Sequence, residues 1–265
     1  MIIGTHYDGD GVGDNGSGIA LLLSTACGLQ GKTLPVTTYY VFFDAEEKGL
    51  YGSETFVNQM SEEQAASVLY MINIDAIAFG DYCNIYGGCQ DAETKIISQL
   101  EAYEYACQKA KELNYNVYGP EELDGYFAEH GSGPALDEKG LFTNPWTPEN
   151  PAPENTVDDR LLAYSPTTLP ASDHVPFLLR EIPYIYFEAT NWYSASNYPE
   201  IAYIGYTDVG DPNVGDGGII MNTEYDTLET MKKYYPGRSL EHFRLYSPFL
   251  SALILEPYDS YEMSE

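Results

Sequence analysis

The sequence predicts an α/β fold built on a mostly parallel sheet. Apolar runs rich in β-branched or aromatic residues at 1–5, 36–45 and 68–74 alternate with segments of helical periodicity at 19–28, 49–60 and 91–113. Each run ends on residues able to do chemistry, namely His6, Glu46 with Glu47, and Asp75. Open parallel sheets gather functional side chains beyond the carboxyl ends of their strands. No internal repeat or linker divides the 265 residues, so a single domain spanning 1–265 with a substantial core is expected.

Taken in order, residues 1–5 form a buried strand ending at His6. Gly16-Ser17-Gly18 then opens a helix over 19–28, where Ile19, Leu22, Leu23 and Ala26 share one side. The run VTTYYVFFDA at 36–45 reads as a central strand delivering Glu46 and Glu47. An amphipathic helix follows over 49–60, and Ser61 with Glu63 and Gln64 after it starts a short second one. Residues 68–74 give the strand that ends in Asp75, and 84–86 a candidate fourth. A long helix over 91–113 is capped by Asp91. From 115 to 171 recurrent prolines interrupt any periodicity, which predicts a loop-rich insertion folded over the active face. A short helix at 176–180 and a strand at 183–188 come next, followed by a second irregular stretch over 191–218. Asp226 caps a helical region over 227–234, and 240–255 forms the last helix.

The charge balance excludes some partners. There are 41 acidic residues against 12 basic ones, a formal charge of −29 that repels nucleic-acid phosphates and anionic membrane surfaces. No stretch approaches the ~20 apolar residues of a membrane span, and the first residues lack a basic n-region ahead of an apolar core, so a soluble chain is expected. Four cysteines, Cys27, Cys83, Cys89 and Cys107, lack zinc-knuckle spacing. Cys83 and Cys89 could pair across a turn or stay buried thiols. The 25 tyrosines, with few lysines, fit a secreted or cell-surface protein.

Taken singly, the polar strand-end residues have ordinary explanations: a strand-end histidine, an N-cap at Asp14, a solvated pair at Glu46 and Glu47, a loop residue at His174. Together they place imidazole and carboxylate donors on four strand ends or loops of a chain with only 4 histidines. That donor set suits a metal ion.

The segments GTHYD, DNGSG, DAEEKGLYGS, INIDAI, SDHVPF and NTEYDTLE run in this order from residue 4 to 229. They resemble the co-catalytic zinc aminopeptidases that include the secreted bacterial leucyl aminopeptidases, with glutamate carboxypeptidase and glutaminyl cyclase as relatives. The resemblance implies a three-layer α/β fold of the zinc-dependent exopeptidase type, with a mostly parallel mixed sheet between helices on both faces. It implies two Zn²⁺ ions, with Asp14 bridging them, His6 and Asp75 completing one, and Glu47 and His174 the other. Glu46 matches the general base that takes a proton from water and delivers it to the leaving amine. Asp8 stands behind His6 to fix its tautomer. The Asp14–Asn15 peptide is expected to be cis.

Peptides with a free N-terminus are the implied substrates. A glutaminyl cyclase-like acyltransferase is the alternative enzyme, and an inactive ectodomain-like interaction module the alternative outside enzymes. The family has further strands and a helix ahead of the His motif, so an N-terminally short domain is expected. No motif locates an oxyanion-stabilising tyrosine, and Tyr164, Tyr193 and Tyr198 are candidates by position. Asn222 stands where relatives often have His, and its segment reads as structural.

Overall fold

The computed structural model describes residues 1–80, 82–88, 101–118, 135–136, 142–143, 160–163, 172–190, 208–209 and 213–258. Its main element is a seven-stranded mixed sheet. The chain enters it directly at β1 (Ile2–His6), every residue of which is buried. β2 (Tyr39–Phe43) pairs in parallel on one side of β1, and β3 (Met71–Ile74) in parallel on the other. β4 (Tyr82–Gly88), β5 (Asn116–Tyr118), β8 (Arg160–Ala163) and β9 (Tyr184–Thr190) complete the order β2-β1-β3-β9-β4-β8-β5. Only β4 and β9 run antiparallel to each other in this sheet. β6 (Ala135–Leu136) and β7 (Phe142–Thr143) form a separate two-stranded ribbon.

Because side chains alternate across a strand, each strand supplies two different cores. Ile3, Ile72, Ile74, Ile185 and Phe187 face α1 (Gly16–Gly28), α4 (Glu101–Glu112) and α7 (Arg238–Leu255), packing on Leu21, Leu22, Ala106, Phe249 and Leu253. Ile2, Phe43 and Met71 face the other way, toward Val57 of α2 (Tyr51–Asn58), Ala65 of α3 (Glu62–Ala66) and Phe177 of α5 (Val175–Leu178). The result is the expected three-layer arrangement. Strands buried on both faces read as near-continuous apolar runs, which is why 1–5, 68–74 and 183–188 were conspicuous.

Local signals account for several element ends. Ser61 and Gln64 form a reciprocal capping box at the start of α3, each side chain bonding the other's backbone N–H. Asn15 caps α1 by accepting from Gly18 N–H, and its amide donates to Thr5 Oγ1 and Ile74 O, stapling the helix to β1 and β3.

Four expectations change. The 36–45 run gives β2, which ends the sheet order among the described residues and is mostly exposed or half-buried, so it is an edge strand and not a central one. Asp226 does not cap α6 (Leu228–Tyr234): Thr227 does, its hydroxyl accepting from Thr230 N–H, because the Asp226 carboxylate is drawn to a longer-range partner. The stretch 115–171 is not simply loop, since β5 and β8 come from it and extend the main sheet. β4 is longer than the three residues expected.

The remainder of 115–171, most of 191–218, the expected Asp91 cap and Cys89 lie outside the described residues, as do Tyr164, Tyr193 and Tyr198. Cys83 is fully buried in the core. No helix among the described residues is long and apolar enough to cross a membrane.

Candidate metal centre

β2, β1, β3 and β9 are neighbours, so their carboxyl ends set a row of side chains about 5 Å apart. His6 is the last residue of β1, Asp75 follows β3, Glu46 and Glu47 follow β2, and Glu188 lies near the end of β9. Asp14 enters from above on the turn before α1, through an Asp14–Asn15 peptide that is cis, as the resemblance implied. The turn is compact because Gly18 abuts the first strand: a Cβ there would lie 2.3 Å from Thr5 Oγ1 and 2.8 Å from Ile74 O.

The imidazole of His6 is the hub. Its Nε2 lies 3.1 Å from Asp75 Oδ1 and 3.1 Å from Asp14 Oδ1, while Nδ1 faces Asp8 Oδ1 at 3.4 Å. One ring N–H shared between two carboxylates satisfies each of them only in part. It makes a directed hydrogen bond to Asp75, and Asp14 Oδ1, also buried, has no directed partner among the described residues. Donor atoms of His6, Asp14 and Glu47 lie within 4.8 Å of one another. A ring nitrogen and several carboxylates converging on one space, one carboxylate oxygen unmatched, fit a divalent cation well.

The electrostatics agree. Burial opposes a charge on His6, but Asp75 and Asp14 overcome it and push the ring up to about 12. Burial and the Asp75 charge raise the Asp14 carboxyl to about 7. Burial, then Asp75, raises Glu46 to about 8. Burial also raises Glu47. At Asp75 burial pulls upward, yet the attraction of His6 wins and its carboxyl is lowered.

Supporting contacts hold these groups in place. Asp8 Oδ1 accepts from Glu46 N–H at 3.1 Å, so Asp8 links the His6 ring to the Glu46–Glu47 turn. Ser172 Oγ donates to Asp75 Oδ2 at 2.7 Å and accepts from the Asn73 amide. Asp173 is fully buried, and burial raises its carboxyl to about 7 against the help of the Ser53 hydroxyl.

A cavity of about 440 Å³ opens beside the cluster, lined among others by Asp14, Glu46, Glu47, Asp75, Tyr186 and Glu188. Its wall also includes Met221 and Asn222, and the Asn222 side chain slightly opposes the rise of the Glu47 carboxyl. His174, expected beside Glu47, belongs to no described group of three close donors. It is fully buried and stacked between Tyr184 and Tyr186, at ring-centroid distances of 4.6 and 4.8 Å, and burial lowers its pKa to about 3.

Sequence reasoning passed over Asn222, Asp226, Tyr186 and Glu188 as site residues. Asn222 carried a signal, its place where relatives often have His. The other three look locally like a cap and two strand residues.

Residues 1–140 match the model of peptidase family M28. An aminopeptidase of Pseudomonas aeruginosa is 36% identical over 94 residues, 33% of this chain and 17% of that protein. Leucine aminopeptidase 2 of Trichophyton rubrum is 32% identical over 93 residues, 33% of this chain and 19% of that protein. The matched region is thus under a fifth of either relative's length.

Among solved structures, the zinc aminopeptidase BSAP of Bacillus subtilis superposes with a TM-score of 0.57 at 17% identity, covering 97% of this chain and 47% of that one. A glutaminyl cyclase from an Acidobacteriales bacterium gives 0.53 at 17% identity, covering 97% of this chain and 69% of that one. At such identities these two share the fold. With the family model matching 140 of 265 residues, from the first strand through the His6, Asp14, Glu46, Glu47 and Asp75 segments, the chain belongs to peptidase family M28.

Proposed function

We propose that this chain is the catalytic domain of a zinc aminopeptidase that hydrolyses the first peptide bond of peptides bearing a free N-terminus. The observation that carries the reading is the position of Glu46: its carboxyl, raised to about 8, lines the same cavity as Asp14, Glu47 and Asp75. A carboxylate with a pKa near working pH, beside a cluster of metal-type donors, is suited to accept a proton from water and return it to a departing amine. Family membership and relatives named as aminopeptidases support the choice of reaction.

In this reading His6 and Asp75 would hold one zinc ion and Glu47 a second, with Asp14 available to both. When bound, zinc would supply Lewis acidity toward water and the scissile carbonyl. The chain's own residues do the rest. Asp8 keeps the His6 ring oriented with Nε2 toward the carboxylates, and its hydrogen bond to Glu46 N–H fixes the turn that aims Glu46. The acidic cavity favours a substrate ammonium over a blocked, neutral N-terminus.

A panel of aminoacyl-anilides tests the proposal, run on chelator-treated protein with and without zinc add-back. Cleavage that disappears with chelator and returns with zinc is expected, and failure to cleave any member of the panel after zinc loading sinks the reading. N-blocked analogues of the best substrate should be inert. A secreted or cell-surface location, suggested by the tyrosine-rich composition, is part of the proposal and is checked by assaying culture medium against cell lysate.

A further inference from the structure

β9 is buried along its whole length, yet it carries a glutamate, Glu188. Glutamate is seldom placed so deep, because taking a carboxylate out of water is costly. Strand alternation turns Ile185 and Phe187 into the core beneath α1 and α7. Tyr186 and Glu188 turn to the opposite face, where both line the cavity of about 440 Å³. The Tyr186 hydroxyl donates to Glu188 Oε1 at 3.0 Å, and the Tyr246 hydroxyl donates to the Glu188 backbone carbonyl at 2.8 Å. Burial, with Glu188 beside it, holds the Tyr186 phenol well above its ordinary pKa, so this contact orients the carboxylate and adds no charge.

The position of Glu188 relative to the cluster decides what it can reach. Asp75 N–H donates to Phe187 O, so Glu188 stands beside Asp75 on the next strand, on the side away from His6. Adjacent strands lie about 4.8 Å apart. A scissile carbonyl held at the cluster keeps its α-ammonium, two bonds away, among Asp14, Glu46 and Asp75. Glu188 lies one strand further, within reach of a first-residue side chain.

We propose that Glu188 is a specificity-determining residue that binds the cationic end of an N-terminal lysine or arginine, so that peptides with a basic first residue are preferred. The inference rests on the aminopeptidase reading and deepens it by naming the substrate class. Leu50, Ala76 and Met221 give the same cavity apolar wall for the aliphatic stem of such a side chain. A carboxylate fixed by a neutral phenol then meets the ammonium or guanidinium in a charge-assisted hydrogen bond. The formal charge of −29 adds a field that draws cationic substrates toward the chain.

The test is kcat/KM of the zinc-loaded full chain for the anilides of lysine, arginine, leucine, methionine and the uncharged arginine analogue citrulline. Lysine and arginine should exceed leucine and methionine by about tenfold or more, and arginine should exceed citrulline by a similar factor. Glu188→Gln still accepts from the Tyr186 hydroxyl and removes the charge, so the lysine-to-leucine ratio should fall by about tenfold or more. Both substrates read the same protein sample, so loss of folded or metal-loaded chain cancels from the ratio, and a merely structural role would not move it.

A wild type that cleaves leucine as well as lysine overturns the inference, whatever the variant does. A basic preference that survives Glu188→Gln unchanged removes Glu188 from it. Cleavage of no member of the panel sinks the aminopeptidase reading and the inference with it, a failure distinct from the other two.

Discussion

Asp226 reaches across 212 positions of sequence to accept a hydrogen bond from the backbone N–H of Asp14 at 2.8 Å, and its other oxygen accepts from Gly13 N–H at 2.5 Å. Val12 N–H bonds the Asp226 backbone carbonyl. The turn that carries Asp14 is thus fastened by the segment just ahead of α6. No residue other than Gly fits at 11 without displacing this carboxylate, since a Cβ there would lie 2.0 Å from Asp226 Oδ2.

Replacing Asp226 by Asn turns one acceptor into a donor facing a backbone N–H. Leaving a buried N–H unmatched costs about 1–3 kcal/mol, so Asp226→Asn should unfold at lower denaturant concentration by that amount. It should also bind zinc more weakly, because Asp14 loses its support. Urea melts and zinc titration check both effects, and wild-type behaviour in both would refute the positioning role.

Glu46→Gln preserves shape and removes the proton acceptor. Turnover of the best aminoacyl-anilide should fall by about 10²- to 10⁴-fold while zinc content stays at the wild-type value. Metal analysis beside kinetics separates this outcome from loss of metal. A variant that retains near-wild-type kcat would remove Glu46 from the mechanism.

Zinc should stabilise the fold by relieving repulsion among Asp14, Asp75, Glu46 and Glu47. At a free zinc concentration one hundred times Kd the gain is about 2.7 kcal/mol, seen as an upward shift in Tm. His6→Ala should abolish most of that shift, because it removes the ring nitrogen facing Asp14 and Asp75. An undiminished shift in the variant would place the bound zinc elsewhere.

His242 gives the fold an acid sensitivity apart from the metal cluster. It is fully buried, its Nδ1–H donates to Ile77 O at 2.8 Å, and burial, aided by the Arg238 charge, lowers its pKa to about 3. The unfolded chain takes up this proton below about pH 6.5, whereas the folded chain does not until about pH 3. Stability is therefore lost as pH falls through that window, by about 1.4 kcal/mol per pH unit, or about 2 kcal/mol by pH 5. His242→Gln keeps an N–H for Ile77 O and should shrink the drop in stability between pH 7 and pH 5 by about that amount. Denaturant melts at the two pH values decide it.

What the sequence by itself determined is local. Apolar runs ending in His6, Glu46–Glu47 or Asp75 are legible because strand patterning and strand-end chemistry are written in consecutive residues, most plainly in β1 and β3, which are buried on both faces. The Ser61–Gln64 capping box is legible for the same reason. Tertiary structure decided what depends on non-local partners. Asp226 and Thr227 are equally good caps by composition, and only the approach of the Gly13–Asp14 turn shows which is free to cap. The antiparallel course of β4 and the addition of β5 and β8 to the sheet follow from long-range pairing that proline-broken sequence conceals.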